Sequence, residues 1–246
     1  MHVLKIGGNE LDDGDFLQSL ACFVAGLSEP VVIVHGGGKA IADLQARLGL
    51  ATVKVDGLRV TDRESLAVAQ MVLSGQANKQ IVATLLAAGV DAVGLSGVDG
   101  GLLRCQKKQH PTADLGFVGT ITQVRASVIR SLWEQGITAV LSPISLGEDG
   151  QIYNVNADEA AGAVALALNA RLLDFISNVP GVLLEGQVIP QLTVVQTEKL
   201  ISEGIVNGGM IPKVQAALTA VASGVPQARI VNLAGLATAG GTVFCG

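Results

Sequence analysis

Residues 31 to 40 read VVIVHGGGKA. A continuous run of β-branched residues without polar alternation predicts a strand buried on both faces, as in the interior of a parallel sheet. Three glycines and Lys39 follow, and a helix is expected from about Lys39 to Leu48, with Ile41, Leu44 and Leu48 on one face. Toward the N-terminus, HVLKI (2–6) is another apolar run, ending at Gly7-Gly8, and residues 16–27 carry apolar side chains at helical spacing. The chain therefore opens β-loop-α-β-loop-α, which predicts parallel strands joined by right-handed crossovers.

Beyond residue 50 that rhythm breaks. TVKVDGLRV (52–60) alternates around Asp-Gly, a hairpin signal. Thr61 stands three residues before Glu64, which reads as a capping box opening a helix to about Ser74. A second helix is expected over about 77–88, a strand over 91–96 and antiparallel ribbon within 101–124. A helix over 126–136, closed by glycine, precedes a buried strand over 137–144. From Asn156 an alanine-rich helix runs to about Asn169, and RLLDFIS (171–177) is a strand. Helices over 193–204 and 210–224 and strands at ARIVNL and GTVFC complete the chain, with Pro212 tolerated in a first turn. No internal repeat is present, and a lobe boundary is expected near residue 170.

Composition sets the class. Of 246 residues, 49% are apolar but only 3% aromatic, so the core must be built from Val, Leu, Ile and Ala. Thirty-one glycines fall in short clusters between apolar runs, which marks turns and ligand loops rather than low complexity. The net charge of −5 and the absence of any basic run argue against a nucleic-acid partner. Three dispersed cysteines, Cys22, Cys105 and Cys245, read as free thiols in a reducing compartment. A first strand from residue 2 leaves no expectation of a signal peptide, and no apolar stretch approaches the roughly 20 residues of a membrane helix. A soluble cytoplasmic protein is expected.

Chemistry concentrates at a few loops. In an open parallel sheet, ligands lie beyond the carboxyl ends of the strands, where KIGGN (5–9) and HGGGK (35–39) both fall. Glycine lets the backbone approach a ligand, and free N–H groups at a helix start attract anions. GGGKA is not a Walker A loop, and no G-x-G-x-x-G follows the first strand. Lys5 sits within an apolar strand, where a charge is expensive unless an edge position or a ligand accounts for it. Asn156 or Asp158 can cap the alanine-rich helix. Lys213 lies in the first turn of a helix, against the dipole, which makes better sense with an anion nearby.

The motifs KIGG, HGGG, DGLRVTD, GLSG, NVNADEAA, SNVPGVL and GGMIPKV run in this order along the whole chain. Together they resemble the amino-acid kinase family. The resemblance implies a three-layer αβα sandwich with an open, mainly parallel central sheet. It implies an N-terminal lobe (1–170) for an acylated amino acid and for dimerisation, and a C-terminal lobe (171–246) for ATP. The implied reaction is phosphorylation of the side-chain carboxylate of N-acetyl-L-glutamate. The alternative acceptor is an N-acetylated or carrier-bound aminoadipate of lysine biosynthesis, and a non-catalytic nucleotide- or amino-acid-binding regulator is the alternative of another class. Carried onto this sequence, Lys5 and Lys213 become the transition-state lysines, with Asp158 orienting both. Gly37, Gly38, Arg59 and Asn154 become the substrate site. Gly8, Asn178, Val179, Pro180, Gly181, Val182, Leu183, Ile205, Val206 and Asn207 become the nucleotide site, with Mg²⁺ held mainly by the ATP phosphates. A homodimer is expected. Asn178 departs from the aspartate many relatives carry there.

Overall fold

The computed structural model describes residues 2–8 and 10–246; Asn9, within one of the glycine loops singled out above, lies outside them. Eight strands form one sheet in the order Gln191–Thr193, Thr242–Cys245, Gln227–Val231, Leu172–Ile176, His2–Ile6, Val32–His35, Thr138–Ser142, Ala92–Ser96. The last six run parallel, and the Thr242–Cys245 strand pairs antiparallel with Gln227–Val231. Val32–His35 and Thr138–Ser142 are buried at every position, as unalternating apolar runs require.

Each face of the sheet has its own core, set by the two-residue period of the strands. Leu4, Ile6, Ile33 and Val140 pack with helices Gly14–Ala25 and Asn78–Ala87. Val3, Val34, Leu173 and Phe175 pack with helices Ala157–Leu168 and Met210–Ala222 on the other side. The expected three-layer α/β sandwich is what forms.

Register decides where the site lies. Ile6 pairs with both His35 and Ile176, so three strands end at one level. Gly7-Gly8, Gly36 to Gly38 and Ser177-Asn178 therefore emerge side by side at the carboxyl ends of three central strands. Gly36 N–H extends the pairing by donating to the Ile6 carbonyl at 2.9 Å.

One polar group is built into the sheet interior. Asp174 is fully buried, and Arg229 of the neighbouring strand grips it with Nε–Oδ1 at 2.6 Å and Nη2–Oδ2 at 2.8 Å, with His2 as a further partner. Burial raises the Asp174 pKa, but the Arg229 and His2 contacts outweigh it and hold the carboxyl below its usual range.

Several local expectations need correction. The helix after the hairpin is capped by Asp62, whose carboxylate accepts from Ser65 N–H, while Thr61 donates to the Arg59 carbonyl instead. The two expected helices are one continuous run from Arg63 to Ala87, joined by a π-helical segment Met71–Ala77 that contains Gly75. The expected strand over 137–144 breaks at Pro143, which lacks the N–H a central strand must donate. Its second half, Ile144–Gly147, leaves the sheet and joins Leu103–Lys107, Val118–Val124 and Ile152–Val155 in a small closed barrel. Short elements at Leu183–Leu184, Gln187–Val188, Gln191–Thr193 and Leu233–Ala237 carried too little periodicity to be read.

Candidate active site

Alternation along the first strand places Lys5 on the same face as Val3, toward the helix Ala157–Leu168. That helix is capped by Asn156, whose Oδ1 accepts from Asp158 N–H at 2.7 Å and Glu159 N–H at 3.2 Å. The cap fixes Asp158 in the first turn, where its Oδ1 lies 2.7 Å from Lys5 Nζ. The lysine charge is thus balanced by one carboxylate while both side chains keep partial access to solvent.

Lys213 comes from the neighbouring helix Met210–Ala222, on the same face of the sheet. Its Nζ donates to Ser177 Oγ at 2.5 Å and lies 3.5 Å from Asn178 Oδ1. Asp158 was expected to hold both ammonium groups, but among the described residues its ion pair is with Lys5, and the Lys213 ammonium rests on Ser177. A lysine in the first turn of a helix takes the nearest oxygen at the end of the Leu172–Ile176 strand.

Two clefts meet at the Lys5–Asp158 pair. One, of about 380 Å³, is lined by Lys5, Gly7, Gly8, Glu10, Gly38, Lys39, Lys54, Arg59, Asp158, Ser177 and Lys213 among others. It gathers five cationic side chains against two carboxylates on an acidic protein, a field that favours an anionic ligand. The other, of about 260 Å³, shares Lys5, Gly8, Gly38, Arg59 and Asp158 and adds Gly36, Gly37, Leu73 and Asn154.

Arg59 stands where the clefts join. Its Nη2 donates to the Gly38 carbonyl at 2.9 Å and its Nη1 to Gln45 Oε1 and to Thr52 Oγ1. Gln45 is fully buried and its own amide donates to Ser65 Oγ at 2.8 Å, which fixes the orientation of its oxygen. Burial lowers the Arg59 pKa, so a bound carboxylate would complete its charge environment. Asn154 lies across the same cleft, with Nδ2 3.4 Å from Thr61 Oγ1.

Glycine is sterically required at position 8, where a Cβ meets backbone, while at position 37 a Cβ meets only the end of a side chain. A Cβ on Gly8 would sit 2.5 Å from Gly38 N, and one on Gly37 would sit 2.6 Å from Leu73 Cδ2. The two loops touch backbone to backbone, and Gly38 opens the helix Gly38–Arg47, whose first N–H groups lack intrahelical acceptors.

The expected nucleotide residues divide. Val182 and Val206 are 1% and 2% exposed and belong to the core, so their side chains cannot touch a ligand. Asn178, Pro180, Leu183, Ile205 and Asn207 are exposed, Val179 is half-buried, and a Cβ on the buried Gly181 would meet Thr242. None of these residues lines the two clefts, although Asn178 approaches Lys213. Sequence reading gave no role to Ser177, Glu10, Lys54 and Gln45, and flagged Lys39 only as part of its loop. The polar residue closing an otherwise largely apolar strand could have flagged Ser177; Gln45 carried no signal.

The model of the amino acid kinase family matches residues 1–232. Acetylglutamate kinase of Roseiflexus sp. (strain RS-1) is 53% identical over 98% of this chain and 92% of its own length. Acetylglutamate kinase of Geobacillus kaustophilus is 46% identical over 94% and 89%. Among solved structures, smu.665 from Streptococcus mutans UA159 superposes with a TM-score of 0.82 at 30% identity, over 99% of this chain and 98% of that one. N-acetylglutamate synthase from Neisseria gonorrhoeae superposes at 0.84 and 23% identity, covering 100% of this chain and 59% of that one, a likeness of fold alone. The chain belongs to the amino acid kinase family. It is a kinase, with ATP as co-substrate.

Proposed function

We propose that this chain transfers the γ-phosphoryl group of ATP to the side-chain carboxylate of N-acetyl-L-glutamate, forming N-acetyl-L-glutamyl 5-phosphate for arginine biosynthesis. The name shared by the relatives at 44–53% identity supports the acceptor. The observation that carries the mechanism is the junction of two clefts at the Lys5–Asp158 pair.

Phosphoryl transfer asks a protein for in-line positioning and for positive charge around the equatorial oxygens, with little covalent work. Lys5 and Lys213 supply that charge, and Asp158 holds Lys5 in place. The acceptor carboxylate is already ionised at neutral pH, so no general base is needed. Arg59 and Asn154 hold the α-carboxylate of the acceptor, with Gly37 and Gly38 N–H groups at its reacting end. Gly8 N–H serves the phosphates. Residues 171–246 take the nucleotide through Ser177, Lys213 and the exposed part of 178–183 and 205–207, while residues 1–170 take the acceptor.

When bound, Mg²⁺ would neutralise charge on the phosphates. The first cleft offers two carboxylates, Glu10 and Asp158, which suits an ion held mainly by ATP oxygens. Among the described residues no helix is long and apolar enough to cross a membrane. The protein works in the cytoplasm as a homodimer related by a two-fold axis, the commonest closed symmetry. Trapping the acyl phosphate with hydroxylamine tests the reaction: a hydroxamate should form only with ATP and N-acetyl-L-glutamate together. ATP turnover without hydroxamate would sink the proposed acceptor chemistry.

A further inference from the structure

His35 is fully buried at the end of its strand and has no part in the phosphoryl-transfer chemistry described above. Its ring is nonetheless fixed at both nitrogens. Nδ1 lies 2.9 Å from the Gly36 carbonyl, and Nε2 lies 3.2 Å from Asn78 Nδ2. Asn78 is also fully buried, and its orientation is over-determined. Its Oδ1 is 2.9 Å from Lys79 Nζ, which can only donate, and its Nδ2 is 2.9 Å from the Val140 carbonyl, which can only accept. Lys79 Nζ is itself tied to the Gly94 carbonyl at 2.9 Å. A Cβ on Gly94 would fall 1.9 Å from Asn78 Oδ1, so the neighbouring strand is cut back to admit this amide.

The chain of donors leaves one solution. The Gly36 carbonyl can only accept, so Nδ1 carries the hydrogen, and in the neutral ring Nε2 is then the acceptor facing the Asn78 amide nitrogen. The two N–H groups of that amide lie among His35 Nε2, the Val140 carbonyl at 2.9 Å and the Leu95 carbonyl at 3.4 Å. A trans peptide is planar, with its C=O and N–H pointing in opposite directions, and no described peptide bond is cis. Holding Gly36 O on the His35 side therefore turns the Gly37 N–H the other way.

We propose that Lys79, Asn78 and His35 form a positioning relay that locks the Gly36–Gly37 peptide with the Gly37 N–H facing the acceptor cleft. His35 is a positioning residue that acts through the backbone and touches no substrate. Glycines alone would leave that peptide free to flip, and a flipped peptide would offer a carbonyl oxygen to an anion. The proposal rests on the reading of the triglycine turn as the acceptor site, but the lock can be measured without any substrate.

The test has two arms. In ¹⁵N-edited NMR of the unmodified protein, His35 should show a protonated Nδ1 and an unprotonated Nε2, unchanged from pH 8 to pH 5.5. A protonated Nε2, or titration with a midpoint near 6.5, would overturn the lock whatever the enzyme's activity. In kinetics, His35→Leu should lower kcat by on the order of tenfold to a hundredfold, the scale of one misplaced transition-state donor, with KM for ATP within about twofold. His35→Asn, whose amide N–H can take the place of Nδ1–H, should recover most of that loss. Equal kcat in the Leu and Asn variants would overturn the proposal. Lys79→Met, an exposed change that leaves the core intact, should lower kcat several-fold, and an unchanged kcat would remove Lys79 from the relay.

Discussion

Lys5 Nζ and Asp158 Oδ1 meet at 2.7 Å, the lysine from the middle of the first strand and the aspartate from the first turn of a helix on one face of the sheet. The pair is partly exposed, so its Coulomb energy is screened and its worth lies in position rather than stability. It holds one cation where two clefts join, and Lys213 lines one of them.

Catalysis should depend on both lysines. Lys5→Ala and Lys213→Ala should each lower kcat by on the order of a hundredfold, because each removes preorganised charge from the transition state. Steady-state kinetics on folded variants checks this. A near-normal kcat in either variant would remove that lysine from the chemistry.

Acceptor binding should depend on the fork of Arg59. Its guanidinium is braced by Gln45, Thr52 and the Gly38 carbonyl, a geometry a lysine cannot reproduce. Arg59→Lys should raise KM for the acyl amino acid by on the order of tenfold and move KM for ATP far less. Equal changes in the two constants would speak against the clamp.

Backbone contact between the glycine loops gives a steric prediction. Gly8→Ala would place a Cβ 2.5 Å from Gly38 N, whereas a Cβ on Gly38 meets nothing within 4 Å. Parting the loops by even a fraction of an ångström misplaces phosphate against acceptor, so Gly8→Ala should cost on the order of a hundredfold in kcat. Gly38→Ala should fold normally and cost much less. The two variants assayed side by side decide whether the contact matters.

Acid stability should carry the mark of His35. Burial, reinforced by the Lys79 charge and only partly opposed by the Gly36 bond, pulls its pKa down to about 4. The unfolded chain binds a proton there near pH 6.5 and the folded protein does not. Between those values the unfolded state holds more protons, so stability rises with pH. The contribution is complete above pH 6.5 and is lost as pH falls toward 4, by about 3 kcal/mol over the window. Urea denaturation at several pH values should show this slope in the parent protein and a shallower one in His35→Leu. Identical slopes would mean that another group governs acid unfolding.

Much of this was legible in the sequence because single residues carried the signal. Largely apolar runs at 2–6, 31–35 and 171–177 marked the central strands, and Lys5 and Lys213 stood out by being badly placed for stability alone. What escaped depends on partners distant in the chain. Nothing near Gln45 shows that it braces Arg59, and nothing near Asp174 shows that Arg229 will neutralise it. The π-helical join at Met71–Ala77 and the barrel strand after Pro143 are tertiary solutions that override local pattern. Val182 and Val206 were assigned to the nucleotide with their motifs as blocks, and a motif does not say which of its side chains turn inward.

The central claim is the acceptor. The most direct measurement is kcat/KM for ATP-dependent phosphorylation with N-acetyl-L-glutamate, N-acetyl-L-aminoadipate, L-glutamate and N-acetyl-L-aspartate, run in parallel. N-acetyl-L-glutamate should be preferred, by roughly tenfold or more over the homologue that differs by one methylene, the discrimination an apolar pocket provides. A higher kcat/KM for the aminoadipate derivative, or no saturable turnover with N-acetyl-L-glutamate, would contradict it.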